Sequence, residues 1–423
     1  MLAFDPIAIT GIGLATPLGH TAAEVYEALC QGRSAIAPIE RFPTDVFPCR
    51  IGAVVTDFKA RDWVSNRKNL KLMSTAVRLG LAGVKRAWSD AGLPLHSVAP
   101  ERVGFFVGAG TAVGRTEDLV PAIQQATSET GFDTGAFGAE GMHRINPLWL
   151  LKGLSNNVLG FGSGDLNIQG VNQNYCNSGV SGLQAMGEAA WALNENRADV
   201  IIAGSADSAV NPLHYTGFGR LRALTTRDGP DAVRPFDADR CGFAPGEGAA
   251  FFVLERLANA LARGAQIMGC IRAYSNACAG HALGSGDVDT VVASWKTCLK
   301  RADWRTTDVD LFYAHGNGTI KFDSIEASAL RQVFGEHQPP VTSNKGQLGH
   351  TIAAGGPISV ACALASMSGG KIPHIAHLQR LARDCQGIQA VHHAPLTKSV
   401  KRAMVHAAGL GGQTATLALE LNP

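Results

Sequence analysis

Short apolar runs that end abruptly at glycine recur along the chain, and they limit its fold more than any other feature of the sequence. The clearest are IAITGIG at 7–13, VGFFVGAG at 103–110, VIIAGSAD at 200–207 and MVHAAGLGG at 404–412. Runs of this length without polar alternation are typical of strands buried on both faces of a sheet. The sequence therefore predicts a sheet that is enclosed by helices.

Helical stretches lie between these strands, at 72–92, 178–196, 324–334 and roughly 354–368. Strands that alternate with helices of this length predict an α/β fold with a mainly parallel sheet. A helical segment near residue 260 joins two parts of the chain. We therefore expect an N-terminal half at 1–260 and a C-terminal half at 261–423.

Composition and charge exclude several classes of protein. Apolar residues make up 46% of the chain and charged residues 17%, which indicates a large core and excludes disorder. The net charge is +2 without a basic block, so a nucleic-acid partner is not expected. The segment 346–370 has no Asp, Glu, Lys or Arg, but its glycines, proline and hydroxyl groups favour a buried helix over a membrane span.

Cysteine usage and the first residues indicate the compartment. The nine cysteines include no CxxC pair, and no Lys or Arg precedes Arg33, as the basic region of a signal peptide would require. We therefore predict reduced thiols, no secretory signal and a cytoplasmic location.

Cys176 follows a short polar segment and precedes a helix with one apolar face. Positions three and four residues apart form that face: Val180, Leu183, Met186, Ala190 and Leu193. At a helix N-terminus, free N–H groups and the macrodipole favour a thiolate, and the same groups could hold a developing oxyanion. On this evidence alone, Cys176 could equally be a core cysteine.

Two histidines lie in glycine-bearing segments of the C-terminal half. His315 follows the apolar run 310–314, and His350 follows Lys345 by five residues on a glycine loop. Polar and acidic residues come shortly after His315: Thr319, Asp323 and Glu326. Each histidine alone could be structural. No metal-ligand spacing joins them, so we predict no metal site.

A final motif is the glycine turn Gly409–Gly412, which lies between two strand-like runs at 404–420. Such a turn could bring backbone N–H groups close to a reacting atom. It could equally be an ordinary tight hairpin.

Taken together, these motifs resemble a known family. The order Cys…His-Gly-x-x-Thr…Lys-x-x-x-x-His…Gly-x-Gly-Gly is similar to that of the elongating β-ketoacyl-acyl carrier protein synthases, and the likeness extends to ITGIGLATPLG near the start and to 217–255. The resemblance implies the thiolase fold, with two similar α/β halves in five layers, αβαβα. It also implies a dimer that pairs through edge strands near the nucleophile.

The resemblance assigns roles to four residues in the motifs. Cys176 resembles the nucleophile that takes the acyl chain from its pantetheine thioester. His315 and His350 resemble the pair that promotes malonyl decarboxylation and stabilises the enolate, and Lys345 matches a lysine that supports them. These roles imply acyl transfer to Cys176, then decarboxylative Claisen condensation with malonyl-acyl carrier protein, which extends a fatty-acid or polyketide-type chain.

Further positions match residues around the reaction centre. The backbone amides of Cys176 and Leu410 match the two oxyanion-hole donors, and Leu410 stands where the family has a gating phenylalanine. Asn317 and Thr319 match two threonines that bind the pantetheine arm. Two acidic positions order the histidine loop in the family, and in this chain they are Asp323 and Glu326.

The resemblance also implies partners. Substrates would arrive on the phosphopantetheine of an acyl carrier protein, without metal or other cofactor, and without nucleic acid or membrane. Because carrier proteins are acidic, we expect basic residues at the entrance, namely Arg67, Lys68, Lys71, Arg220 and Arg222. The dimer could be a homodimer, or a heterodimer with a chain-length-factor-like subunit.

Several departures from the family pattern favour a specialised, polyketide-type enzyme. The family places small residues beside its nucleophile, as in ACSS or ACAG, whereas Tyr175 and Asn177 flank Cys176. Ser359 replaces a glutamate that pairs with the lysine, so we expect Lys345 to use Glu326 or a backbone carbonyl. The alternative is a non-catalytic chain-length-factor-like partner subunit. Such subunits lose the nucleophile, and the presence of Cys176 favours the active enzyme.

Overall fold

Ten strands form one sheet in the computed structural model, which describes residues 5–94, 97–110, 116–280, 283–284 and 286–421. The strands are β1 (Ile7–Ala15), β2 (Val103–Ala109), β3 (Asn172–Tyr175), β4 (Val200–Ser208), β5 (Glu247–Arg256), β6 (Gly269–Cys278), β7 (Leu311–Tyr313), β8 (Val341–Thr342), β9 (Arg402–Ala408) and β10 (Gln413–Glu420). Their order across the sheet is β8-β7-β9-β10-β6-β1-β5-β4-β2-β3. All four apolar runs that were predicted as strands lie in this sheet.

The sheet consists of two five-stranded halves with the same pairing pattern. In the N-terminal half β2 is parallel to β3 and β4, while β4–β5 and β5–β1 are antiparallel. In the C-terminal half β7 is parallel to β8 and β9, while β9–β10 and β10–β6 are antiparallel. A short antiparallel contact between β1 and β6 joins the halves. The expectation of a mainly parallel sheet is therefore wrong, because strands buried on both faces have the same apolar pattern in either direction.

The α-helices of the described residues connect and cover these strands. They are α1 (Ala22–Cys30), α2 (Thr75–Asp90), α3 (Val120–Gln125), α4 (Thr134–Ala139), α5 (Trp149–Lys152), α6 (Asn157–Leu166), α7 (Ser181–Asn194), α8 (Pro212–Arg220), α9 (Leu257–Ala262), α10 (Val288–Ala302), α11 (Ile320–Phe334), α12 (Lys345–Leu348) and α13 (Gly355–Gly369). Ser74 caps α2 by accepting a hydrogen bond from the N–H of Val77.

Three hydrophobic clusters define five layers. On the outer face of the N-terminal half-sheet, α2 packs against Phe105 and Phe251. On the outer face of the C-terminal half-sheet, α10 and α11 pack around Trp295 and Phe312. The central cluster contains α7 and α13, which lie between the two half-sheets. The layers therefore follow the order αβαβα, as the family resemblance implies.

The two central helices approach each other closely. A Cβ atom at Gly356 would lie 2.6 Å from Cγ of Leu183, so only glycine fits at this contact. The apolar segment Ile352–Gly369 is long enough to cross a membrane, but 83% of it is buried inside the protein. The prediction of a buried helix in this segment is confirmed.

Candidate active site

The loop that carries His315 is held by a buried carboxylate. It leaves β7 and turns sharply through Gly316 and Gly318, whose φ angles of +33° and +84° favour glycine. Glu326 on α11 reaches back and accepts hydrogen bonds from the N–H groups of His315 at 2.7 Å and Gly316 at 2.8 Å. The position of the His315 backbone therefore depends on Glu326.

His406, which the sequence analysis did not single out, is part of the same arrangement. Its Nδ1 lies 2.5 Å from Oε1 of Glu326, and its Nε2 lies 2.9 Å from Oγ1 of Thr414. Both the histidine and the carboxylate are buried. A histidine inside the apolar strand run MVHAA was the only sign of this role in the sequence.

Asp323 holds the other end of the loop. It accepts hydrogen bonds from the N–H groups of Asn317, Gly318 and Phe236. Arg240 Nε lies 3.7 Å from its carboxylate. Burial raises the pKa of Asp323 to about 7, although these donors and the guanidinium oppose the shift. Asp323 and Glu326 thus have the loop-ordering positions that the resemblance implies.

The second histidine comes from the loop after α12. The backbone N–H of His350 donates to the Ala244 carbonyl at 2.8 Å, which anchors this loop to the N-terminal half. The ring centroids of His315 and His350 are 5.1 Å apart and the rings are nearly perpendicular, at 81°. The structure therefore brings together two histidines that are far apart in the sequence.

Hydrogen bonds fix which nitrogen of His315 carries the proton. The Ala408 N–H donates to Nδ1 at 3.2 Å, so neutral His315 is protonated on Nε2. Asn317 Oδ1 accepts from both the N–H and the hydroxyl of Thr319, so its amide nitrogen faces His315, with Nδ2 3.2 Å from Nε2. Two N–H donors therefore lie side by side, and no acceptor from the described residues lies between them. Such a pair suits a single acceptor oxygen of a substrate.

Burial and a nearby cation keep both imidazoles neutral. Burial lowers the pKa of His315 and of His350 well below the ordinary value of 6.5, and the positive charge of Lys345 adds to both shifts. Lys345 is itself buried, which lowers its pKa to about 8 against the opposing charges of Glu326 and Asp323. At neutral pH the site therefore holds two neutral imidazoles beside an ammonium group.

Lys345 lies inside the histidine network and not in bulk solvent. The Cβ position of Gly355 is 3.7 Å from Cε of Lys345 and 3.8 Å from Nδ1 of His350. Ser359 accepts a hydrogen bond from Nδ2 of Asn344 at 3.3 Å, so it does not take over the missing glutamate's role. The carboxylates that act on Lys345 are Glu326, as expected, and Asp323.

A small cavity opens onto the two histidines and is lined by residues from both halves of the chain. His315, Asn317 and His350 line one side of it. The predicted residue Leu410 and the nearby Ser178 line the other side, and the Leu410 N–H points to Oγ of Ser178 at 3.5 Å. Thr319 contributes through its hydrogen bonds to Asn317.

Cys176 is not among the residues that line this cavity, which differs from the expectation. β3 ends at Tyr175, and Cys176 precedes the short 3₁₀ turn Ser178–Val180, so the residue is not at the start of α7. Its Sγ lies 3.2 Å from the Gly110 carbonyl oxygen. Burial and the Asp207 carboxylate raise the pKa of the thiol, whereas a helix N-terminus was expected to favour the thiolate.

Gly179, in the middle of this turn, approaches the opposite wall of the cavity. A Cβ atom at Gly179 would lie 2.3 Å from the Ala408 carbonyl oxygen, a distance that real side chains do not tolerate. Any side chain at 179 must therefore displace the turn that carries Leu410.

This contact predicts a stability effect. Gly179→Ala should lower the free energy of unfolding by about 1–3 kcal/mol, because the new methyl group overpacks the turn. Gly164→Ala is the matched control, since Gly164 lies in α6 with nothing within 4 Å of its Cβ position. The control should be neutral or slightly stabilising. Equal denaturant midpoints for the two variants would contradict the close contact.

The predicted docking residues are all exposed and form no ion pair with any described residue. Arg220 ends α8 and Arg222 follows it, and Phe218 of the same helix lines the histidine cavity. The three others lie in a 3₁₀ helix that contacts α5: Arg67, Lys68 and Lys71. Of the five residues, only Arg220 and Arg222 adjoin a helix, α8, that contributes a residue to the cavity lining.

Comparison with known proteins identifies the family. The β-ketoacyl synthase N-terminal domain matches residues 4–260, and the C-terminal domain matches residues 268–379. The 3-oxoacyl-[acyl-carrier-protein] synthase 2 of Coxiella burnetii is 31% identical over 98% of both chains. The actinorhodin polyketide putative β-ketoacyl synthase 1 of Streptomyces coelicolor is 29% identical over 98% of this chain and 88% of its own length.

Solved structures agree with this assignment. The ishigamide ketosynthase/chain length factor superposes with a TM-score of 0.89 at 26% identity, over the full length of both chains. A β-ketoacyl synthase from Burkholderia phymatum has the same fold, with a TM-score of 0.87 at 24% identity over 99% of this chain and 100% of its own. The fold that the resemblance implied is confirmed. The chain therefore belongs to the β-ketoacyl synthases, a family of acyl-transferring condensing enzymes.

Proposed function

We propose that the His315–His350 site decarboxylates a malonyl group carried on the phosphopantetheine of an acyl carrier protein, the step that supplies the carbon nucleophile for β-ketoacyl synthesis. The observation that carries the proposal is the pair of buried, neutral imidazoles in one cavity. Loss of CO₂ yields a carbanion equivalent near neutral pH without a strong base. The proposal needs no metal or redox cofactor.

The donors of the site fit the charge that this reaction develops. When the bond to the carboxylate breaks, its electron pair delocalises onto the thioester oxygen. Nε2–H of His315 and Nδ2–H of Asn317 are placed to donate to that oxygen. In a buried site such fixed donors stabilise an oxyanion more than water does. The Lys345 ammonium group adds a favourable positive potential.

The carrier protein is proposed from the relatives. Those of Coxiella burnetii and Synechocystis are named as acyl-carrier-protein synthases, and one related fold was solved as a polyketide ketosynthase with its acyl-carrier protein. The exposed arginines at the C-terminal end of α8, Arg220 and Arg222, offer complementary charge for an acidic carrier. We propose that they form part of its docking surface.

Charge reversal tests this surface. Arg222→Glu should raise KM for malonyl-carrier protein about tenfold, because a repulsive charge replaces an attractive one, and should spare malonyl-pantetheine. Lys300→Glu, at an exposed position on α10, is the matched control. An equal loss on both substrates would remove Arg222 from carrier docking.

The pH dependence of decarboxylation follows from the site. The pKa of both imidazoles lies well below 6.5, so the neutral forms persist and the rate should stay level from about pH 6 to 7.5. Above this range the rate should fall as Lys345, whose pKa is about 8, loses its positive charge. Lys345→Met should remove the alkaline fall, whereas Lys300→Met should keep it. A titration near pH 6.5 that follows the histidines would contradict their neutral state.

The finer prediction, acyl transfer to Cys176 and then condensation, requires a thiol within reach of the enolate. The contacts of Cys176 do not support it, and they favour a second candidate, a chain-length-factor-like partner subunit. Apolar side chains exposed at 120–154 suit burial against such a partner: Val120, Ile123, Phe132, Met142, Leu150, Leu151 and Leu154. The ishigamide relative is described as a ketosynthase/chain length factor.

One assay decides between the candidates. The purified protein is incubated with malonyl-carrier protein labelled in the free carboxylate, and released CO₂ and carrier mass are measured. We expect release of CO₂, and loss of release in the double variant His315→Ala/His350→Ala. Release no faster than that of the double variant would reject the proposed function and leave the partner-subunit role. The cytoplasmic location stays a prediction from the sequence.

A further inference from the structure

We infer that Gly179 stands where the acyl-accepting side chain of this site would have to be, so that the chain carries no acyl group of its own and its own turnover ends in an acetyl thioester on the carrier. The inference rests on the proposed function. Carbon–carbon bond formation then requires a subunit that supplies a thiol.

The Cβ position at Gly179 is directed into the wall of the histidine cavity. It points at the Ala408 carbonyl, with Gly409 next to it. Ala408, Gly409 and Ser178 line the cavity that His315 and His350 share. A side chain at position 179 would therefore enter the wall of this cavity, and glycine provides none. None of the nine cysteines lines it.

The sequence around the turn also favours position 179 over position 176. The family surrounds its nucleophile with small residues, as in ACSS, and Ser178-Gly179-Val180-Ser181 has this character whereas Tyr175-Cys176-Asn177 does not. Oγ of Ser181 accepts from the Asn177 N–H at 2.7 Å and donates to the Ser178 carbonyl at 2.8 Å. These bonds fix the turn so that Ser178 lines the cavity and the Cβ position of Gly179 faces Ala408 in its wall.

The surroundings of Cys176 do not activate its thiol. Its Sγ faces the Gly110 carbonyl, and the charge that acts on it is the buried Asp207 carboxylate. An anion opposes formation of a thiolate, and Cys176 is not among the residues that line the cavity of the two imidazoles that could accept the thiol proton. Cys176 therefore lacks the activation that acyl transfer requires.

The fate of the enolate follows from these observations. Cleavage of the carbon–carbon bond releases CO₂ and leaves the electron pair on the α-carbon. Without an acyl thioester beside it, this carbon takes a proton from water, and malonyl-carrier protein plus a proton gives acetyl-carrier protein plus CO₂. A condensation catalysed by a subunit that has its own thiol nucleophile would consume this acetyl thioester as a primer.

Mass spectrometry tests the inference. Wild-type protein and Cys176→Ala are incubated with hexanoyl- and octanoyl-carrier protein, and intact and peptide masses are recorded before and after malonyl-carrier protein is added. We expect no stoichiometric acyl adduct, one acetyl-carrier protein per CO₂, and a decarboxylation rate of Cys176→Ala within about twofold of wild type. A twofold change in rate is far smaller than the loss of about 10²-fold that follows removal of an oxyanion donor.

An acyl adduct on Cys176, Ser178 or any other residue that disappears with formation of a 3-oxoacyl product would overturn the inference. The inference would also be overturned if both Cys176→Ala and Cys176→Ser lost decarboxylation. Cys176→Ser keeps a side chain of similar size, so loss in both variants would show that the thiol itself is required. Absence of CO₂ from wild type would instead reject the proposed function. The adduct measurement decides the question of the thiol in either case.

Discussion

His315→Ala should reduce CO₂ release from malonyl-carrier protein by about 10²- to 10³-fold, the usual cost of one oxyanion donor in a buried site. Within the part of the chain that the structure describes, the neighbour of Nε2 of His315 is the amide nitrogen of Asn317, which is a donor and cannot accept its proton. Its Nδ1 is already occupied by the Ala408 N–H. The Asn317 amide remains on that side of the cavity but supplies only one of the two hydrogen bonds to the oxyanion, so the effect should appear in kcat.

The control for this variant is His337→Ala, which removes an exposed histidine from the same half of the chain. It should keep full activity. His350→Ala should lose activity to a similar extent, since its ring lies 5.1 Å from that of His315. Single-turnover CO₂ release and the thermal midpoint are measured for each variant. A folded His315→Ala protein that decarboxylates within fivefold of wild type would contradict the role of this nitrogen.

The strands and the histidines could be predicted from the sequence because each rests on a local pattern. The runs at 103–110 and 200–207 are too apolar and too short to be anything but buried strands, and they form β2 and β4. His315 and His350 came from motifs within single loops. His406 was missed because its partner, Glu326, lies 80 residues away and only the fold brings them together.

The position of Cys176 relative to the histidine cavity could not be predicted, for a different reason. A cysteine shortly before a helix often has an activated thiol. A shift of three positions along the chain, however, determines whether its side chain lies at the histidine cavity or outside it. The end of β3 at Tyr175 and the length of the turn Ser178–Val180 fix that offset. Both depend on packing of the turn against Ala408, which is more than two hundred residues away. No local pattern contains that information.

Glu326→Ala should destabilise the protein more than Gly179→Ala does, by about 3–5 kcal/mol of unfolding free energy. The variant leaves three buried donors without their acceptor, on the backbone of His315 and Gly316 and on the ring of His406. It also removes one of the two carboxylates whose charge stabilises the buried Lys345 ammonium group. The loop that carries His315 would lose its anchor, so decarboxylation should fail together with stability.

Two further variants separate these contributions. Glu326→Gln keeps the shape and one acceptor oxygen but removes the charge, so it should cost less than Glu326→Ala and should lower the pKa of Lys345 further. Glu336→Ala, at an exposed position just beyond α11, is the matched control and should change stability by less than about 0.5 kcal/mol. Urea denaturation measures all three free energies. A Glu326→Ala protein within about 1 kcal/mol of wild type would mean that the loop finds another acceptor, and His315 would then owe its position to the Ala408 contact instead.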